Sequence, residues 1–205
     1  MALLDFLRRD PVAGFWRWFE ANAPAIAADV QGLKRRPKSS RLTTLDLTAR
    51  LRRIHPMLVH EIGVDPDGDV ELIVSADGNR AAFDAVLRTV GAAPALPGFK
   101  VTAFRRRAEP EIVLGMFGQE VRLEDIRYEA WPEEDRMGVR LYIPFDLDEP
   151  ERHAMGFVLL DMALGEFDVE TGLGSIEFAP GRPREAKRLN ALAAEFDAFR
   201  SPTLH

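Results

Sequence analysis

Residues 57–104 read MLVHEIGVDPDGDVELIVSADGNRAAFDAVLRTVGAAPALPGFKVTAF, and the spacing of apolar residues changes twice along them. From Met57 the period is two. Leu58, His60, Ile62 and Val64 alternate with Met57, Val59 and Glu61 up to the turn Asp65-Pro66-Asp67-Gly68, after which Val70, Leu72 and Val74 resume the alternation. A β-hairpin over 57–76 follows. Asp77-Gly78-Asn79 then opens a helix in which Ala82, Phe83, Val86, Leu87 and Val90 share one face, with Asp77 as the expected N-cap and Gly91 and Pro94 closing it. Phe99, Val101 and Ala103 begin a strand expected to run through Arg105-Arg106-Arg107. The right-handed crossover rule sets that strand parallel to 69–76, adjacent to it or one strand apart.

The same order returns later in the chain. Ile126, Tyr128 and Ala130 alternate, Glu133 to Gly138 turn, and Val139, Leu141, Ile143 and Phe145 alternate again, which gives a hairpin over 124–145. Asp148-Glu149-Pro150 signals a helix start, Phe157, Leu160, Met162 and Leu164 follow, and 174–178 reads as a closing strand. The segments 57–107 and 124–178 are thus two ββαβ halves, either an old duplication or the commonest way to cover one sheet face. Residues 111–123, with a turn at Phe117-Gly118, form an extra hairpin.

Helices flank this pattern. One starts at Pro11 behind Asp10 and is expected to kink or break at Pro24; a short one covers 43–54 and ends before Pro56; a third starts at Pro183 and lines up Ala186, Leu189, Leu192, Ala193 and Phe196. The fold class is therefore α+β, a mostly antiparallel sheet with helices on one face plus N- and C-terminal helices. At 205 residues the chain is within reach of one core, so a single domain over 1–205 is expected.

With no cysteine, the chain has no disulfide, thiolate metal site or cysteine nucleophile. Asp5, Arg8 and Arg9 interrupt any secretory h-region, and no apolar run approaches the ~20 residues of a membrane span. A cytoplasmic protein is expected. The net charge of −6 argues against nucleic acid as the main partner. That charge is unevenly spread. Residues 34–53 hold eight basic residues against Asp46 alone, a balance of +7, and residues 145–170 hold eight acidic residues against Arg152 alone, a balance of −7.

The segments FWRWF (15–19), LIVSADG (72–78), AAPALPGFKVTAFRRR (92–107) and LLDMALGEFDVETGLGSIEF (159–178) resemble an uncharacterised bacterial protein family. They span most of the chain, and the resemblance implies no activity, cofactor or catalytic residue.

No chemical motif assigns a catalytic group. His55, His60, His153 and His205 lack metal-ligand spacing, and Asp65-Pro-Asp-Gly-Asp69 has its glycine out of place for a calcium loop. Ser75 and Ser175 lack a nucleophile elbow, and Gly172-x-Gly174 lacks the rest of a dinucleotide fingerprint. Glu166, Asp168 and Glu170 alternate, so an extended backbone would align three carboxylates on a solvent-facing loop. The candidate ligand cluster is Asp77 with Arg105 and Arg107, whose forks suit a carboxylate or phosphate unless they pair with the acidic stretch. Phe15, Trp16, Trp18 and Phe19 are too many for one buried stripe, which marks Trp16 and Trp18 as candidate interface residues with Trp18 only partly buried.

These residues favour a binding or interaction protein in a regulatory, assembly or immunity role, engaging another protein or a second copy, with neither nucleic acid nor membrane as main partner and with no cofactor. The alternative is an enzyme holding a small anion on Arg105 and Arg107, with Asp77 or Glu166 as acid or base. A polyanion or membrane-surface binder using the basic residues 34–53 is a third reading. Elemental analysis of dialysed protein is expected to show no stoichiometric zinc, iron or calcium; one retained equivalent would point to Glu166, Asp168 and Glu170.

Overall fold

The computed structural model describes residues 10–32, 40–109 and 111–201, without the side chains of 40–44. Lys34, Arg35, Arg36 and Lys38 of the basic stretch, the residues before Asp10, and His205 lie outside the described residues. Where the length argues for one core, the contacts divide the chain into two compact units, 1–104 and 105–205, each with its own apolar cluster.

In the first unit, helices α1 (Pro11–Gly32) and α2 (Ser40–Ile54) precede β1 (Val59–Val64), β2 (Val70–Ser75), α3 (Phe83–Gly91) and β3 (Phe99–Ala103). The sheet order is β1-β2-β3, antiparallel across the hairpin and parallel between β2 and β3, as the crossover rule requires. Asp65 shapes the hairpin turn: its Oδ1 accepts the backbone N–H groups of Asp67 and Asp69, both at 3.0 Å. Val70, Leu72 and Val74 face the helices with no exposed area, against Phe15, Phe19, Leu47, Leu51 and Val86.

Three expectations change here. Helix α1 runs through Pro24 without the break allowed for there; the ring sits on the exposed side, where water can satisfy a carbonyl that loses its helix donor. The side-chain cap is Asn79, which accepts the Ala81 N–H at 3.1 Å and opens the 3-10 turn Arg80–Ala82 that leads into α3; Asp77 instead takes a left-handed turn (φ 51°) and donates its N–H to Ser75 Oγ at 2.9 Å. Strand β3 stops at Ala103. Phe104 still donates its N–H to Val74, but its φ of 63° turns the chain out of the sheet while its ring packs on Phe83.

In the second unit, the small hairpin β4 (Leu114–Met116) and β5 (Gln119–Val121) turns at Phe117-Gly118, both with positive φ. Strands β6 (Arg127–Glu133) and β7 (Arg136–Ile143) follow, then α4 (Glu149–Leu164), α5 (Glu166–Gly172), β8 (Leu173–Pro180), β9 (Lys187–Arg188) and α6 (Leu192–Arg200). The sheet order is β8-β7-β6-β9 with β7 and β8 parallel, so the second hairpin strand is again paired in parallel with the strand after the helix. The two hairpins stand in separate sheets, not in one as expected. Each half carries enough apolar residues on one face to close a core on its own helices.

Asp148 caps α4 as the sequence signals: it accepts the Glu151 N–H at 2.8 Å, and Glu151 reaches back to the Asp148 N–H. The expected start of the C-terminal helix at Pro183 is a correction. Residues 187–188 pair with β6, and the helix begins at Leu192. Glu166, Asp168 and Glu170 lie in helix α5, not in an extended loop.

One glycine fixes how α4 meets β8. A Cβ on Gly156 would stand 2.2 Å from the Phe178 ring, so that ring lies directly on the helix backbone. Gly156→Ala is expected to destabilise the protein by about 1–3 kcal/mol through overpacking. Gly14→Ala in α1, where an added Cβ meets nothing within 4 Å, is expected to stabilise it by about 0.5–1 kcal/mol. Denaturant unfolding of both variants checks the contrast.

Candidate functional site

Having left the first sheet, residues 105–108 lie across the joint between α4 and α5. The backbone of Arg105 bonds Glu166 in both directions: Arg105 N–H donates to Glu166 Oε2 at 3.2 Å, and Glu166 N–H donates to the Arg105 carbonyl at 3.0 Å. Glu166 is fully buried, so its carboxylate needs such donors to offset lost hydration. Ala108 N–H adds a bond to the Met162 carbonyl at 2.8 Å. Gly165 makes the joint possible, since its φ is 83° and a Cβ would meet the Arg105 carbonyl at 3.2 Å.

The side chains complete the strap. Arg105 lies 3.5 Å from Asp161. Arg107 Nε donates to the Leu164 carbonyl at 3.1 Å, at the negative end of α4, while its two Nη atoms hold Asp197 of α6 at 2.7 and 2.8 Å and Asp168 of α5 at 3.1 Å. Hydrogen bonding to Arg107 holds the Asp197 carboxyl below its usual range. Two of the three carboxylates belong to the acidic stretch that the sequence offered as internal partners. Arg105 and Arg107 share no strand face, because β3 has already ended. They belong to the second unit and Asp77 to the first.

Of the aromatics on α1, Trp16 is 4% exposed and its indole N–H donates to the Thr89 carbonyl at 2.8 Å, so its area is buried inside the first unit. Trp18 is half-buried, with the Arg50 guanidinium 4.3 Å above its ring.

Two features escaped the sequence. At the β6–β7 turn, Glu133 accepts from the Trp131 indole at 2.7 Å and from Ser175 N–H at 2.8 Å, and hydrogen bonding by Ser175 and then by Trp131 lowers its pKa. The second is an aromatic group on α4 and β8. Phe178 packs edge-on against Phe157 at 5.1 Å and His153 at 5.3 Å, and Phe157 stays 45% exposed. Helical periodicity alone assigns Phe157 to a core stripe. What turns it outward is that Met155, Gly156, Leu159 and Leu160 take the sheet-facing side.

No family model matches the chain, and neither a curated protein nor a solved structure is similar enough to it to count as a match.

Glu166→Ala leaves the Arg105 N–H without its carboxylate and is expected to destabilise the protein by about 1–3 kcal/mol. Arg107→Ala should have a smaller effect, below about 1 kcal/mol for the half-exposed Asp197 pair. Asp197 has a depressed pKa when folded, so its contribution is complete above the unfolded carboxylate value of ~3.9 and is lost as pH falls through the lower folded one. Unfolding curves from about pH 2 to 7 should therefore show the wild type losing its advantage over Arg107→Ala only at the acid end.

Proposed function

We propose that this protein is a binding module that engages another protein through the outer face of α4 and the adjacent edge strand β8. The aromatic group of exposed Phe157 and His153 around half-buried Phe178 carries the reading. Single exposed apolar residues are ordinary on protein surfaces, but an aromatic cluster on a helix beside a sheet edge has the composition of an interface centre. Its rim is polar and acidic, with Glu149 and Asp146 exposed near the start of α4. A cysteine-free composition supports a cytosolic setting, and among the described residues no helix is long and apolar enough to cross a membrane.

The anion-enzyme alternative is weakened by the strap. An external anion would have to displace Asp161 from Arg105, or Asp168 and Asp197 from Arg107, and each of those carboxylates would give up its contact with the strap arginine.

Phe157→Glu should leave the unfolding midpoint near that of the wild type, because the side chain is nearly half exposed. The same variant should lose at least about ten-fold in affinity for a partner captured by the wild type. Equal binding by both proteins would refute this face as the interface. Phosphate or citrate should leave the melting temperature unchanged; a saturable rise that Arg105→Ala abolishes would instead favour a ligand site.

A further inference from the structure

Helix α2 in the first unit turns Leu47, Leu51 and Ile54 toward its own core, and its opposite side is a second exposed stripe. Leu45 is 59% exposed at one end, Ala49 is exposed in the middle, and Arg52 and Arg53 are exposed at the other end, with Met57 just beyond at 44%. The outer stripe of α4 has the opposite charge at its polar end: Asp146 and Glu149 at the start, His153 and Ala154 in the middle, and Phe157 at the far end. From Leu45 to Arg53 is eight residues, and from Glu149 to Phe157 is eight residues, so each stripe separates its apolar end from its charged end by about 12 Å. Laid antiparallel, the two helices would set Leu45 on Phe157 and the arginines on the carboxylates. Among the described residues, the side chains named on both stripes are exposed.

We propose that the chain self-associates, with α2 of one copy lying antiparallel along α4 of a second copy. The proposal rests on the reading of the α4 and β8 face as an interface and names its occupant. Apolar area at one end supplies affinity, and the charges at the other favour the antiparallel direction, because the parallel arrangement would set the carboxylates on Leu45 and separate them from the arginines. An anionic lipid surface would also attract Arg52 and Arg53, but it would not account for the acid-and-aromatic stripe on α4. A contact of a few side chains on each helix is small by the standard of stable dimers, so the association belongs in the micromolar range.

Sedimentation velocity from about 1 to 200 µM chain, at about 50 and 500 mM salt, tests this. Reversible self-association is expected, closing into a dimer or extending because α2 on α4 joins unlike faces, and several-fold weaker at high salt. Leu45→Glu and Phe157→Glu should each weaken it by at least about ten-fold. Arg52→Glu with Arg53→Glu should weaken it too, and adding Asp146→Lys with Glu149→Lys in the same chain should restore it. Unfolding curves of each variant show whether the fold survives. A chain that stays monomeric throughout, or an assembly insensitive to Leu45→Glu or to the charge exchange, overturns the proposal. Binding to phosphatidylserine vesicles by a chain that remains monomeric, lost with Arg52→Glu and Arg53→Glu, overturns it as well. If a monomeric chain still binds a different protein in a Phe157-dependent way, self-association fails while the α4 interface stands; if that binding is also absent, both fail.

Discussion

Glu166 and the backbone of Arg105 hold each other by two hydrogen bonds of opposite direction, over a glycine that alone permits the approach. A carboxylate with no exposed surface is costly unless donors surround it. Much of the second unit's geometry follows from satisfying it. The strap ends α4 at Leu164, starts α5 at Glu166, and brings Arg107 to the carbonyl end of α4, where a cation is favoured. Arg107 then reaches Asp168 on one helix and Asp197 on another, so one guanidinium ties three helices of the unit together.

The position of α4 on its sheet depends on a second close approach. Gly156 admits the Phe178 ring against the helix backbone, and a ring held there on an edge strand has its other face available to Phe157 and His153. The helix buries Met155, Leu159 and Leu160 against Tyr128, Val139 and Leu141, which leaves the opposite side to Glu149, Ala154 and Phe157. A structural requirement and a candidate interface are therefore parts of one packing arrangement, and Gly156 serves both.

Charge in this protein is arranged in two ways. Arg107, Asp168 and Asp197 form an internal network, as do Tyr128, Glu195 and Lys187, where burial and the hydrogen bond to Glu195 push the Tyr128 hydroxyl pKa up. Such groups hold elements in register. Arg52 and Arg53 on α2 and Glu149 at the start of α4 are exposed at helix ends, where charges steer encounters and set orientation more than they add stability. The opposed +7 and −7 stretches of the sequence thus divide: Asp161, Glu166 and Asp168 serve the strap, and the remainder includes the exposed ends of two helices.

Alternation of apolar residues was sufficient to locate β1, β2, β6 and β7, because a one-residue slip would move the whole apolar set to the wrong face, and the change to helical spacing located the helix after each hairpin. The crossover rule added the parallel pairing of β2 with β3. Capping chemistry located the start of α4 at Asp148. What period and propensity could not decide was the fate of residues whose conformation is imposed by distant partners. Phe104 adopts positive φ with its ring on Phe83, Glu166 enters a helix with its carboxylate buried under Arg105, and Trp16 finds its acceptor at Thr89. The expected pairing of Arg105 and Arg107 on a strand face rested on continuing a local period past the point where tertiary contacts end it. Apolar patterning is a property of neighbours along the chain and was legible in the sequence by itself. Which carboxylate meets which guanidinium, and which phenylalanine is left facing outward, depends on groups up to 90 residues apart in sequence and was decided only when the helices packed.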